Sequence, residues 1–219
     1  MKKIILSIFL LFTLAYTDSL TPTISSDSEV GKWRSFFGVE GGVGFLETTP
    51  AFLSINPFFL NNASLRGLSY GGGILGGWQK YTSEKIGMRN TLGLRVFVAP
   101  ETKILRNQSF LGKTDFTRST NDLITEIAFY YALDGLFDFV KNGNNRFGIS
   151  FGFSTEIIKI NFGRAFGFGY LLKLAPRLGF YTQFENNIVD LIISIPLLGG
   201  DGGDTTYNST LTLGYKHLF

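Results

Sequence analysis

The sequence predicts an all-β protein, an eight-stranded antiparallel up-and-down transmembrane β-barrel. Three observations predict it: apolar and small or polar residues alternate with period two along eight segments, an apolar start is too short to span a bilayer as a helix, and the chain ends on an aromatic residue of an amphipathic segment. Composition agrees. Of 219 residues, 44% are hydrophobic and only 17% charged, with 23 Phe, 9 Tyr and 27 Gly. That is too apolar for a disordered chain.

Met1-Lys2-Lys3 followed by the apolar run Ile4–Leu14 has the layout of a secretory signal peptide. Ala15 or Ser19 serves as the small cleavage-site residue, and residues 1–19 are assigned to the signal. Residues 20–35 are rich in Ser, Thr and Asp and form a periplasmic N-terminal segment; residues 36–219 form the barrel.

The first strand sets Phe37, Val39, Val43 and Phe45 against Gly38, Glu40, Gly42 and Gly44. The second, 69–81, is so glycine-rich that its facing stays open. In the third, Leu92, Leu94, Val96 and Val98 oppose Arg89, Thr91, Gly93 and Arg95. The fourth, 122–140, opposes Ile127, Phe129, Tyr131 and Leu133 to Glu126, Ala128, Ala132 and Asp134. The fifth, 147–157, is the cleanest, with Phe147, Ile149, Phe151, Phe153 and Ile157 against Gly148, Ser150, Gly152, Ser154 and Glu156. In the sixth, 170–184, Leu172, Leu174, Leu178 and Phe180 oppose Lys173, Ala175, Arg177 and Gly179. The seventh, 188–198, opposes Val189, Leu191, Ile193 and Ile195 to Asp190 and Ser194; the last opposes Leu211, Leu213, Tyr215 and Phe219 to Asn208, Thr210, Thr212, Gly214 and Lys216. Pro176 and Pro196 fall inside two of these strands and predict bulges or strand ends, because proline has no N–H for the ladder.

Long connections at 47–68, 100–121 and 159–169 alternate with short ones at 82–86, 141–145 and 185–187. Loops on one side and tight turns on the other are the asymmetry of a membrane barrel, and an even strand number puts both termini in the periplasm.

Residue size decides which face meets lipid. Eight strands enclose just enough room for side chains. Small residues and a few long charged ones fit there, whereas rows of Phe and Leu overfill it, so the bulky faces point outward. The lumen then receives Glu40, Glu126, Glu156 and Asp190 with Arg89, Arg95, Lys173, Arg177 and Lys216. Near-balanced charge in a narrow space predicts ion pairs. Adjacent strands offer Arg89 or Arg95 to Glu126, Lys173 or Arg177 to Asp190, and Lys216 to Glu40; the result is a plugged lumen.

The spacing Leu211, Leu213, Tyr215, Phe219 resembles the C-terminal signal read by the bacterial barrel-assembly machinery. A wider resemblance is carried by the glycine-rich Gly38–Phe45, Trp78-Gln79-Lys80-Tyr81, Gly93-Leu94-Arg95 and Leu178-Gly179-Phe180, by Ile195-Pro196-Leu197-Leu198, and by the ending Leu213-Gly214-Tyr215-Lys216-His217-Leu218-Phe219. These resemble the outer-membrane protein family of Helicobacter and its relatives, which includes adhesins and porins. The resemblance implies residence in the bacterial outer membrane. Many larger members carry a big N-terminal extracellular domain that this sequence lacks, so receptor binding known for them does not transfer.

Several chemistries are disfavoured. Zero cysteine removes disulfides, thiolate zinc sites, thiol catalysis and a lipidated N-terminal cysteine, and one histidine removes a His-rich metal site. A net charge of +3 gives no reason to expect nucleic acid. Gly71-Gly72-Gly73-Ile74-Leu75-Gly76 fits a dinucleotide fingerprint by letter, but no helix follows it. The sequons at Asn62, Asn107 and Asn208 carry no weight in a bacterial protein. His217 is the single candidate base and reads as a rim residue. No catalytic, cofactor or metal residue is assigned, and no cofactor is expected.

The expectation is a non-enzymatic outer-membrane barrel with surface-exposed loops, acting in adhesion or envelope integrity; a small porin and a lipid A-modifying enzyme are the alternatives. The expected partners are outer-membrane lipid and lipopolysaccharide, the barrel-assembly machinery and a host surface ligand. Loop 100–121, with Lys103, Arg106, Lys113 and Arg118 against Glu101 and Asp115, is net basic and reads as a solvated charged loop, with contact to the anionic sugars and phosphates of lipopolysaccharide as the alternative.

Overall fold

Among the described residues, eleven strand segments close on themselves as eight staves. The computed structural model describes residues 30–49, 63–106, 118–120, 123–161, 168–199 and 205–219. The signal assigned to 1–19, most of the 20–35 lead-in and the middles of the longer loops lie outside the described residues. The segments are β1 (Trp33–Thr49), β2 (Ala63–Tyr81), β3 (Ile86–Ala99), β4 (Thr102–Arg106), β5 (Arg118–Thr120), β6 (Ile124–Asn142), β7 (Asn145–Asn161), β8 (Phe168–Phe184), β9 (Asn187–Ser194), β10 (Leu198–Gly199) and β11 (Thr205–Leu218). β4 extends the stave of β3, β5 leads into β6, and β10 extends that of β9. Each stave pairs antiparallel with the next, and β1 pairs with both β2 and β11, which closes the barrel.

The expected strands are present with longer ends. β1 begins at Trp33, inside the segment assigned as lead-in, and β2 begins at Ala63, inside the expected loop 47–68. Backbone pairing carries these staves past the point where the alternation of side chains stops being readable.

The ladder fixes the barrel's shape. From Arg34 it passes through Gln79, Arg89, Asp134, Gly152, Arg177, Ser194 and Thr210 and returns to β1 at Gly44, a stagger of ten residues. With about 3.3 Å of rise per residue and about 4.8 Å between strands, this stagger tilts the strands by about 40°. Ten is even, so inward residues meet inward residues at closure.

The barrel is apolar outside and ionic inside. Phe151 is 57% exposed and Leu172 61%, while Arg89 is 0% and Glu156 1% exposed. A water-soluble protein does the reverse; this is the arrangement of a transmembrane β-barrel. The glycine-rich β2 resolves as Leu68, Tyr70, Ile74 and Trp78 outward, and Ser69, Leu75, Gln79 and Tyr81 inward.

The turns obey backbone chemistry. Gly143, at φ 59°, supplies the left-handed residue between β6 and β7, and Glu185, at φ 52°, occupies that region between β8 and β9. Pro196 falls in the break between β9 and β10, where Ile195, Pro196 and Leu197 face only Ala175 and Pro176, a one-residue bulge. Pro176 stays within β8 opposite Phe153, its carbonyl accepting from Ile195 N–H at 3.1 Å.

Candidate functional site

The lumen is built in three layers. Next to the turns, Phe36, Leu75, Leu136, Ile188 and Leu218 form an apolar floor with Tyr81 and Tyr181. Next to the loops, Leu46, Ala99, Ile124, Ala128, Ile158, Ile160 and Leu171 form an apolar ceiling. Most of the charged residues lie between them, but Glu126 stands within the ceiling, between Ile124 and Ala128, and Asp138 and Arg146 stand on the turn side of Leu136, within the floor.

At the lower edge Arg146 bonds Asp138 at 2.6 Å, stacks its guanidinium 3.6 Å from the Tyr81 ring centroid and donates to the Glu84 carbonyl at 2.9 Å. The Tyr181 hydroxyl donates to the same Asp138. One carboxylate therefore ties the β2–β3 turn to β6, β7 and β8. Above it, Asp190 accepts from Arg89 at 2.9 Å and from Lys216. Arg89 also donates to Gln79 at 2.9 Å, which donates to Gln183 at 3.1 Å. Higher again, Glu156 takes Arg95 at 2.5 Å and Lys173 at 3.4 Å, while Arg177 lies 3.5 Å from Asp134. The Tyr130 ring sits between two guanidinium groups, Arg95 at 5.3 Å and Arg177 at 5.7 Å.

All nine charged residues assigned to the lumen point into it, but the partners differ from those expected: Lys173–Glu156 and Lys216–Asp190 join neighbouring strands, and the other ion pairs of these nine do not. Arg89 and Asp190 meet across the interior, and Arg95 crosses to β7, passing over Glu126. Long side chains in so narrow a cylinder reach the far wall as readily as the neighbouring strand. Among the described residues Glu40 and Glu126 hold no ion pair. Glu126 accepts from Asn208 Nδ2 at 2.7 Å instead, and Glu40 lines a central cavity with Tyr130. Lys216 goes to Asp190 and leaves Glu40 without it.

A buried carboxylate between two cations is held far more firmly than a surface pair. Removing one partner leaves an uncompensated charge at a cost of about 3–5 kcal/mol. The central cavity, lined by Glu40, Arg95, Tyr130, Arg177, Ser194 and Thr210 among others, measures ≈ 10 Å³. That is room for about one water.

Sequence reasoning left out Asp134, Asp138, Arg146, Tyr130, Tyr181 and Asn208 as network members. Arg146 carries a usable signal, two residues before Gly148 on the inward parity, hidden by its place beside the turn. Tyr130 has one in Gly93: a Cβ there would meet Tyr130 Cε1 at 2.3 Å, so the ring lies in the space that glycine leaves.

Leu211, Leu213, Tyr215 and Phe219 all face outward on the last strand and its end. His217 Nδ1 lies 3.0 Å from Asn187 Oδ1, and its ring packs edge-on against Phe219 at 5.2 Å. Lys103 and Arg106 lie in β4 and Arg118 in β5; Lys113 and Asp115 lie outside the described residues.

No family model matches the chain, and no curated protein matches it by sequence. Among solved structures it is similar to Ail, the attachment invasion locus protein of Yersinia pestis, at 14% identity over 83% of this chain and 98% of that one, TM-score 0.33. It is also similar to the outer membrane protein OprG from Pseudomonas aeruginosa, at 9% identity over 88% and 99%, TM-score 0.49. The outer membrane protease OmpT from Escherichia coli stands at 10% identity over 90% and 99%, TM-score 0.37. Likeness at this level assigns no activity. The barrel assignment rests on this chain's own ladders and on its inverted polarity.

Proposed function

We propose that this chain is a non-enzymatic integral protein of the bacterial outer membrane, with both termini in the periplasm. Its filled barrel is a scaffold, and its longer connections act at the cell surface, in adhesion or envelope integrity. One observation carries the reading: an ionic lumen filled by side chains, with an apolar cluster toward each end and a cavity of ≈ 10 Å³ between. A lumen filled in this way supports a scaffold rather than a conduit. Short turns at 82–85, 143–144 and 185–186, on the side where β1 begins and β11 ends, support the periplasmic placement. Lipopolysaccharide and the barrel-assembly machinery are the partners proposed for the loop rim and for the Leu211, Leu213, Tyr215 and Phe219 face. Kinship with the Helicobacter family belongs to the same proposal and rests on the residue motifs.

The test is deletion of 50–62 and of 107–117, each replaced by a short turn. The folded barrel should persist, seen as a mobility difference between boiled and unboiled samples, while attachment to host cells or resistance to envelope stress falls. Retention of both phenotypes would remove the surface-loop role. Two further measurements address the alternatives. Steady conductance in planar bilayers would favour a porin, and an altered lipid A mass profile lost in His217→Ala would favour an enzyme.

A further inference from the structure

The wall between β9 and β11 does not run the full height of the barrel. Leu218 N–H donates to the Asn186 carbonyl at 2.7 Å, and Phe219 N–H donates to the Ser35 carbonyl at 2.9 Å. Backbone groups alternate in direction along a strand, so even-numbered residues of β11 address β9 and odd-numbered ones address β1. Pairing with β1 continues up to Thr205↔Thr49, whereas pairing with β9 stops at Thr210↔Ser194. Among the described residues no ladder continues from Asn208 and Thr206 on that side.

Pro196 accounts for the stop. The next rung of the same register sets Asn208 opposite Pro196, which has no N–H to give. The Asn208 carbonyl instead accepts from Lys173 Nζ at 3.0 Å. Beyond the bulge, among the described residues, β10 keeps the pairing with β8 alone.

The last rung, Ser194 and Thr210, also lines the central cavity. Their hydroxyls, together with Glu40 Oε1, Tyr130 OH, Arg95 Nε and Arg177 Nε, are buried without a hydrogen-bond partner. Six polar atoms belonging to the lining of one small cavity mix donors with acceptors, the chemistry that water satisfies. Outside the gap, Ile195 is 53% and Leu197 57% exposed. Unpaired backbone at hydrocarbon depth is tolerated where it meets protein or water.

We propose that the gap between Ile195–Gly199 and Thr205–Ser209 is a lateral portal, a water-lined notch through which the polar cavity communicates with the loop-side membrane leaflet, latched by Lys173. The inference rests on the membrane reading above. It gives the filled barrel a side route in place of an axial one.

The chain has no cysteine, so Thr210→Cys introduces a single thiol. The folded variant in phospholipid vesicles, with reagent on both sides, is treated with a membrane-impermeant methanethiosulfonate. Thr82→Cys, in an exposed turn, sets the fast limit and urea-unfolded protein the end point. Measurable reaction at Thr210→Cys is expected, and adding Pro196→Ala, which restores the missing N–H, should slow it about tenfold, the worth of one backbone hydrogen bond. An inert thiol, or a rate indifferent to Pro196→Ala, overturns the portal. Amide exchange on the unmodified chain decides independently of either variant. Asn208 and Thr206 should exchange faster than Tyr207 and Ser209, and equal protection overturns the proposal. A boiling-dependent gel shift, run first, shows whether failure belongs to the portal or to the barrel reading beneath it.

Discussion

Lys173 Nζ stands 3.0 Å from the backbone carbonyl of Asn208, in the place where a neighbouring strand would supply an N–H. The same ammonium lies 3.4 Å from Glu156. Lys173→Met removes both contacts and should lower stability by about 2–4 kcal/mol. Urea titration followed by the boiled and unboiled gel bands measures it. In a double-mutant cycle Pro196→Ala should recover part of the loss, because the restored N–H answers the same carbonyl.

Asp190 holds Arg89 and Lys216 together. Asp190→Asn leaves two buried cations facing each other without their shared anion and should cost about 3–5 kcal/mol. Adding Lys216→Met should be less damaging than the two single losses combined. Strict additivity in the denaturation midpoints would contradict a shared network.

Gly93 is a packing glycine. Its Cβ position falls 2.3 Å from the Tyr130 ring, so Gly93→Ala forces the ring off its site and should destabilise by about 1–3 kcal/mol. Tyr130→Leu should absorb most of that penalty, a reversal visible as restored thermal resistance of the unboiled band.

Glu185 adopts a left-handed backbone at φ 52°. Glu185→Asn suits that conformation better and should stabilise the β8–β9 turn by about 1 kcal/mol. A midpoint that fails to rise would assign the turn's geometry to its contacts, among them Glu185 N–H to Asn145 Oδ1 at 3.1 Å.

Much of this architecture is readable from side-chain alternation, because period two is the one pattern that a two-faced sheet imposes on every strand. Phe151 and Phe153 against Ser154 and Glu156 announce both strand and facing. β2 does not, since glycines at 71, 72, 73, 76 and 77 erase the contrast. The identity of the longer-range ion-pair partners is also hidden, because it depends on reach across the interior: nothing local in sequence ties Arg89 to Asp190. The latch at Asn208 was out of sight for another reason. It depends on which way one carbonyl points, a property of register, which alternation alone does not fix once a bulge intervenes.

The length of the staves has a mechanical outcome. β2 and β6 run for 19 residues each, whereas about 9–11 tilted residues suffice to cross a bilayer's hydrocarbon. At about 3.3 Å per residue and about 40° of tilt, the surplus is on the order of 20 Å, shared between the two rims. On the proposed orientation, the loop-side part of that surplus seats the connecting segments on a stiff pedestal rather than at the lipid surface.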